Sequence, residues 1–282
     1  MNQRIFVVLL FCASLLSFFP ANAQDGTLFI IGGGSRPEAM VQEMIKLSEL
    51  DKPGARAVVL PLSSSEPDTS AYYAIRQFTR QGIARDVFHT LIVSPERPPA
   101  ATDLQAILEA DLIYLPGGDQ RRFMRNIAGT RIKETVQQAY HEGTLIAGTS
   151  AGAAVMSKHM LTGDERNRSE YTGAFRTIEA DNMILQPGLG LLPQAIIDQH
   201  FVWRMRFNRL LSVIAEHPGM LGIGIDESTA IVVQGEQARV TGVGQVLVLR
   251  NAHGYRVADG LLGARNLQLD LLLPGDTFSL TP

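Results

Sequence analysis

Thr144-Leu145-Ile146-Ala147-Gly148-Thr149-Ser150-Ala151-Gly152-Ala153-Ala154-Val155-Met156 reads as an apolar, β-tolerant run, a serine set between two glycines, and a run of small residues. The pattern predicts a buried strand, a sharp turn and a helix. Such a turn holds a serine hydroxyl out on a strained corner, where small neighbours let a substrate approach the backbone. The N–H of Ala151 then faces whatever the hydroxyl attacks, and the start of a helix favours developing negative charge there. Two readings fit this stretch alone: a serine nucleophile with half an oxyanion hole, or a glycine-rich βα turn in a nucleotide-binding or purely structural sheet.

Around this stretch, apolar runs alternate with helical patterns. Strands are expected over Gly26–Ile31, Ala55–Leu60, Asp86–Val93 and Asp111–Leu115, and helices over Glu38–Leu50, Ala71–Gln81, Asp103–Ala110 and Arg131–Glu142. Alternation of this kind predicts a doubly wound, mostly parallel α/β sheet. Its ligands bind at the carboxyl ends of the strands. At those ends stand Gly32-Gly33-Gly34, read here as close packing of strand on helix, the serines 63–65, and Pro116-Gly117-Gly118-Asp119-Gln120. The triplet lacks the spaced third glycine and the later acidic residue of a dinucleotide site.

Residues 161–190 are polar and irregular and predict a long loop or lid. Beyond it Ile197–Phe201 ends a strand, and a helical run through Arg204, Arg206 and Arg209 reaches Glu216. After a strand at Gly222–Ile225 the pattern changes to short β runs at 230–233, 239–240, 245–249 and 267–273, expected to extend the sheet edge with antiparallel strands.

The amino terminus carries Arg4, an apolar run from Ile5 to Phe19 and a small-residue ending at Ala23. That is the pattern of a cleavable signal peptide over residues 1–23 and of export to the periplasm or medium. The single cysteine, Cys12, falls inside it, so the mature chain would have neither disulfide nor thiol chemistry. About 260 residues then remain, enough for one α/β domain over 24–282. The formal charge of −3 becomes one unit more negative without Arg4 and offers no footprint for nucleic acid. No later run is long enough to hold the mature chain in a membrane. No H-E-x-x-H and no His or Cys cluster calls for a metal, and no cofactor is expected.

A serine nucleophile needs a base, and the base an orienting acid. His200, at a strand end beside Asp198 and Gln199, is the best-placed histidine for Ser150. Ser150, Asp226 and His253 follow the order of the α/β-hydrolases, but His253 lies in a hairpin-like turn and no oxyanion loop of that family precedes Ser150.

Four motifs in order, PGGDQ (116–120), GTSAGA (148–153), DQHFVWRMRFNRLL (198–211) and GIDESTA (224–230), closely resemble the cyanophycinases, within the serine peptidase family that also holds the aspartyl dipeptidases. The resemblance implies a fold like the class I glutamine amidotransferases, flavodoxin-like, with serine in place of cysteine. It implies cleavage of cyanophycin, a poly-aspartate carrying arginine on each β-carboxyl, into β-Asp-Arg dipeptides. It assigns Ser150 as nucleophile, His200 as base, Glu227 as orienting acid and the N–H groups of Gly118 and Ala151 as the oxyanion site. Gln120, Asp198, Gln199, Arg204, Arg206 and Arg209 correspond to the substrate pocket, where guanidinium groups suit a substrate with carboxylates. Positions 204, 206 and 209 cannot share one helical stripe, so at least one is expected to pair with an acid such as Glu216 or Asp226. The resemblance also suggests a homodimer. Acidic residues of the 164–170 loop, Glu165 and Glu170 among them, are expected to meet the substrate's arginines. Alternatives are an exported peptidase for other Asp-containing or isoaspartyl peptides, and a catalytically silent binding protein on the same fold.

Overall fold

The structure, a computed structural model, describes residues 25–168, 173, 175–251 and 253–281. The expected leader with Cys12, and Glu170, lie outside the described residues.

The first half runs β1 (Leu28–Ile31), α1 (Glu38–Leu47), β2 (Ala57–Val59), α2 (Pro67–Thr79), β3 (Phe88–Thr90), α3 (Ala101–Leu108), β4 (Leu112–Leu115), α4 (Gln120–Asn126), α5 (Ile132–His141) and β5 (Leu145–Thr149). Strands β1 to β5 are mutually parallel. Continuous apolar runs form them because both sheet faces are covered. Leu28, Ile30, Val58, Ile113 and Ile146 point into one core, while Phe29, Ile31, Val59, Tyr114 and Ala147 point into the other.

The second half runs α6 (Ala151–Ala154), β6 (His159–Glu165), β7 (Met183–Pro187), β8 (Ala195–Gln199), α7 (Phe207–Glu216), β9 (Leu221–Ile225), β10 (Thr229–Gln234), β11 (Gln237–Gly242), β12 (Val246–Arg250), β13 (Tyr255–Ala258), β14 (Leu261–Ala264), β15 (Gln268–Leu272) and β16 (Thr277–Ser279). The main sheet has eight strands in the order β16-β11-β10-β1-β5-β4-β2-β3, so β10, β11 and β16 extend it antiparallel beyond β1. The chain is therefore an α/β protein with a mostly parallel main sheet.

Not every late strand extends the main edge: β12 and β15 join β8 and β9 in a separate four-stranded sheet. Gly222 and Gly224 on β9 leave room for Ile214 and Phe201, so α7 lies close over this second sheet with a core of its own. The helix after Ser150 lasts four residues rather than continuing through Met156. The carbonyls of Val155 and Met156, which a longer helix would use, accept from the N–H groups of Leu189 and Leu192 instead. The segment 161–190 is not wholly irregular, because β6 and β7 pair antiparallel across it.

The helical run also begins later than expected. Residues 201–206 form a turn closed by the Arg206 N–H to the Phe201 carbonyl, 3.0 Å, with the Phe201 and Phe207 rings packed 4.8 Å apart. Met205 takes φ +49° in that turn, which a helix excludes.

Candidate active site

Three consecutive carbonyls at the end of β1 organise the site. Ile31 accepts from the N–H of Ser150 (3.0 Å), Gly32 from that of His200 (2.7 Å) and Gly33 from that of Ser228 (2.8 Å). The β5 turn, the end of β8 and the β9–β10 turn, far apart in sequence, are thereby fixed to one backbone segment. Ser150 takes φ 55° and ψ −114°, a strained conformation for a residue with a Cβ. The glycines around it serve close approach: a Cβ on Gly152 would lie 1.9 Å from the Leu115 carbonyl oxygen, and one on Gly148 would lie 2.3 Å from that of Gly152.

His200 Nε2 lies 2.9 Å from Ser150 Oγ, and its Nδ1 lies 2.5 Å from Glu227 Oε1. An ionised carboxylate can only accept, so Nδ1 carries the hydrogen and Nε2 is left as acceptor for the serine proton. Burial holds the His200 pKa below its ordinary value. The Glu227 hydrogen bond opposes that shift, while the Arg204 and Arg206 charges add to it. The imidazole therefore stays neutral, as a base must, to a lower pH than a free histidine.

Beside Ser150 opens a cleft of about 350 Å³, lined by Gly118, Gln120, Arg121, Asp164, Gln199 and Arg204 among others. Gly118 adopts φ +144°, and its backbone presses on Ser63, whose carbonyl accepts the Asp119 N–H at 2.8 Å. Among the described residues no protein acceptor takes the N–H of Gly118 or of Ala151. Both of the Gln120 amide hydrogens go to the carbonyls of Leu161 and Thr162, so only its Oε1 can serve a ligand.

Asp198 does not reach the cleft. Its buried carboxylate takes the Arg209 guanidinium bidentately, with Arg206 Nη1 at 3.8 Å. Arg206 also donates to the carbonyl and the side chain of Gln199, at 2.6 and 2.7 Å. The acid that pairs with the arginines is thus Asp198, not Glu216 or Asp226. Arg204 differs: it is exposed at the cleft wall with no carboxylate partner among the described residues. Glu165 is committed to Arg168 and Asn182, so the acids facing the cleft are Asp119 and Asp164, both bound by Arg121. His253 lines a separate cleft with Pro218 and Asn251.

The model of Peptidase family S51 matches residues 28–241. The chain belongs to peptidase family S51. It is thereby a serine-type peptidase, and the serine, histidine and carboxylate above are the hydrogen-bonded set such a hydrolase needs. Among S51 relatives, the cyanophycinase of Trichormus variabilis is 32% identical over 265 residues, 90% of this chain and 86% of that protein. The cyanophycinase of Geminocystis herdmanii is 32% identical over 261 residues, covering 89% and 92%. In structure, a peptidase from an acI-B1 Actinobacterium superposes with a TM-score of 0.65 at 19% identity over 92% of this chain and 98% of that one. A putative peptidase E protein from Listeria monocytogenes EGD-e gives 0.52 at 14% identity, covering 78% and 100%.

Sequence reasoning missed Gly33 and Gly34 as site residues. A Cβ on Gly33 would lie 2.3 Å from the His200 ring and one on Gly34 2.8 Å from Glu227 Cβ, so the triplet packs against His200 and Glu227 rather than strand on helix. Its position at the carboxyl end of β1 was the available signal.

Proposed function

We propose that this S51 peptidase is an exported cyanophycinase that cleaves poly-aspartate bearing arginine side groups into β-Asp-Arg dipeptides through an acyl-enzyme on Ser150. The hydrogen-bonded run Ser150–His200–Glu227 carries the proposal, and the curated relatives' name supplies the substrate class. The residue pattern before Gln24 supports export.

His200 Nε2 accepts the Ser150 proton as Oγ attacks the backbone carbonyl. The N–H groups of Gly118 and Ala151 receive the oxyanion, and one such donor is typically worth about 3 to 4 kcal/mol of barrier. The imidazolium then protonates the leaving amine. Water, deprotonated by His200, releases the acyl group, and the proton returns to Ser150. Across the cleft, Arg204 suits a substrate carboxylate, while Asp119 and Asp164 outnumber Arg121 on the wall that suits a guanidinium.

The test is wild type against Ser150→Ala on purified cyanophycin and on aspartyl dipeptides, with products identified by mass. Release of β-Asp-Arg by wild type alone supports the proposal. Cleavage only of dipeptides points to an isoaspartyl peptidase, and inactivity of both proteins to a binding role.

A further inference from the structure

The turn between His200 and α7 holds the chain's only tryptophan, Trp203, which is 73% exposed. An indole left in water on a firmly held turn is unusual, since tryptophan is highly buried on average and is enriched where proteins grip ligands. The turn is tied on both sides. The Trp203 N–H donates to Asp226 Oδ1 at 2.9 Å, the Arg204 N–H to the His200 carbonyl at 3.0 Å, and buried Phe201 anchors its start. Trp203 is thus adjacent in sequence to Arg204 on the cleft wall, and its backbone is held by the neighbour of Glu227.

Two further features point to a cationic ligand. Among the described residues no arginine or lysine stacks on the Trp203 ring, although Arg76 and Arg209 lie over other rings. The Asp226 carboxylate forms no ion pair among the described residues; it accepts the Trp203 backbone N–H through Oδ1. An exposed indole, on a turn whose backbone is held by a carboxylate that forms no ion pair among the described residues, offers the two groups that bind a planar guanidinium, by cation–π attraction and ion pairing together.

We infer that Trp203, with Asp226, forms a docking platform at the cleft rim for the guanidinium of a substrate arginine next to the residue being cleaved. The inference rests on the proposed arginine-bearing substrate and adds a contact outside the cleft. A polymer with an arginine on every residue always presents one to such a platform.

Because Trp203 is the sole tryptophan, its fluorescence reports directly. In the Ser150→Ala protein, titration with cyanophycin should change Trp203 emission saturably, and poly-aspartate without arginine should leave it unchanged. In the active enzyme, Trp203→Ala should raise KM for cyanophycin about 5- to 30-fold with a much smaller change in kcat, and Trp203→Phe should recover part of that loss. A KM within twofold of wild type for Trp203→Ala, or equal emission changes with both polymers, overturns the platform. Should wild type fail to cleave cyanophycin, the proposed function falls, while the titration still decides the platform. An emission change that requires arginine supports it, and none overturns it.

Discussion

The His200 ring rests against the backbone of Gly33: a Cβ built there would stand 2.3 Å from Cε1 and 2.5 Å from Nε2. The glycine at the end of β1 therefore sets how closely the imidazole can lie to Ser150. In Gly33→Ala the methyl must push the ring away, and φ +119° is itself unfavourable for alanine. A displacement of about an ångström in a reacting group costs on the order of 10²-fold in rate. The expected result is a fall of that size or larger in kcat/KM with an unchanged far-ultraviolet circular dichroism spectrum. Near-normal turnover would mean that the ring does not need its present seat.

Glu227 fixes the tautomer of His200, which a glutamine cannot do reliably. The Glu227→Gln amide can donate to Nδ1, placing the imidazole hydrogen on Nε2, where it blocks uptake of the serine proton. A loss of about 10³- to 10⁴-fold in kcat is expected, with little change in KM. If kcat falls less than tenfold, Glu227 is not the orienting acid.

The pH profile should show the depressed His200 pKa. Activity needs the neutral ring, so the acid limb of kcat/KM should lie below the ordinary histidine value. Arg204 is one of the charges holding the proton off, after burial. Removing it in Arg204→Gln favours the imidazolium, and the acid limb should move to higher pH, separately from any loss of substrate affinity. A limb that stays in place or moves down would exclude Arg204 as a cause.

The parallel core was legible because β1, β2, β4 and β5 are buried on both faces and so read as uninterrupted apolar runs. The meeting of Ser150, His200 and Glu227 was not legible from spacing. It depends on the carbonyls of residues 31–33, and carbonyls leave no mark on the sequence beyond the glycines that keep them accessible. Family resemblance supplied what spacing could not. The second sheet was hidden for a related reason. Short alternating strands specify a face, not a partner, and the second sheet packs instead under α7, which meets Gly222, and under Phe201, which meets Gly224. Of the acids expected in the 164–170 loop, Asp164 lines the cleft while Glu165, the next residue along β6, turns to Arg168 and Asn182.

Asp198 belongs to the pocket motif, yet its place in the structure predicts a stability effect before a binding one. Its side chain is fully buried and takes Arg209 through two hydrogen bonds, with Arg206 alongside. Removing one partner of a buried ion pair leaves the other charge without compensation in a poor dielectric, at a cost of about 3 to 5 kcal/mol. Asp198→Ala should therefore lower the denaturant midpoint substantially. Adding Arg209→Leu should recover part of the loss, since the stranded charge is then gone, although Arg206 still lacks its neighbour. If instead Asp198→Ala leaves the midpoint unchanged and only KM rises, the carboxylate faces substrate rather than the two arginines.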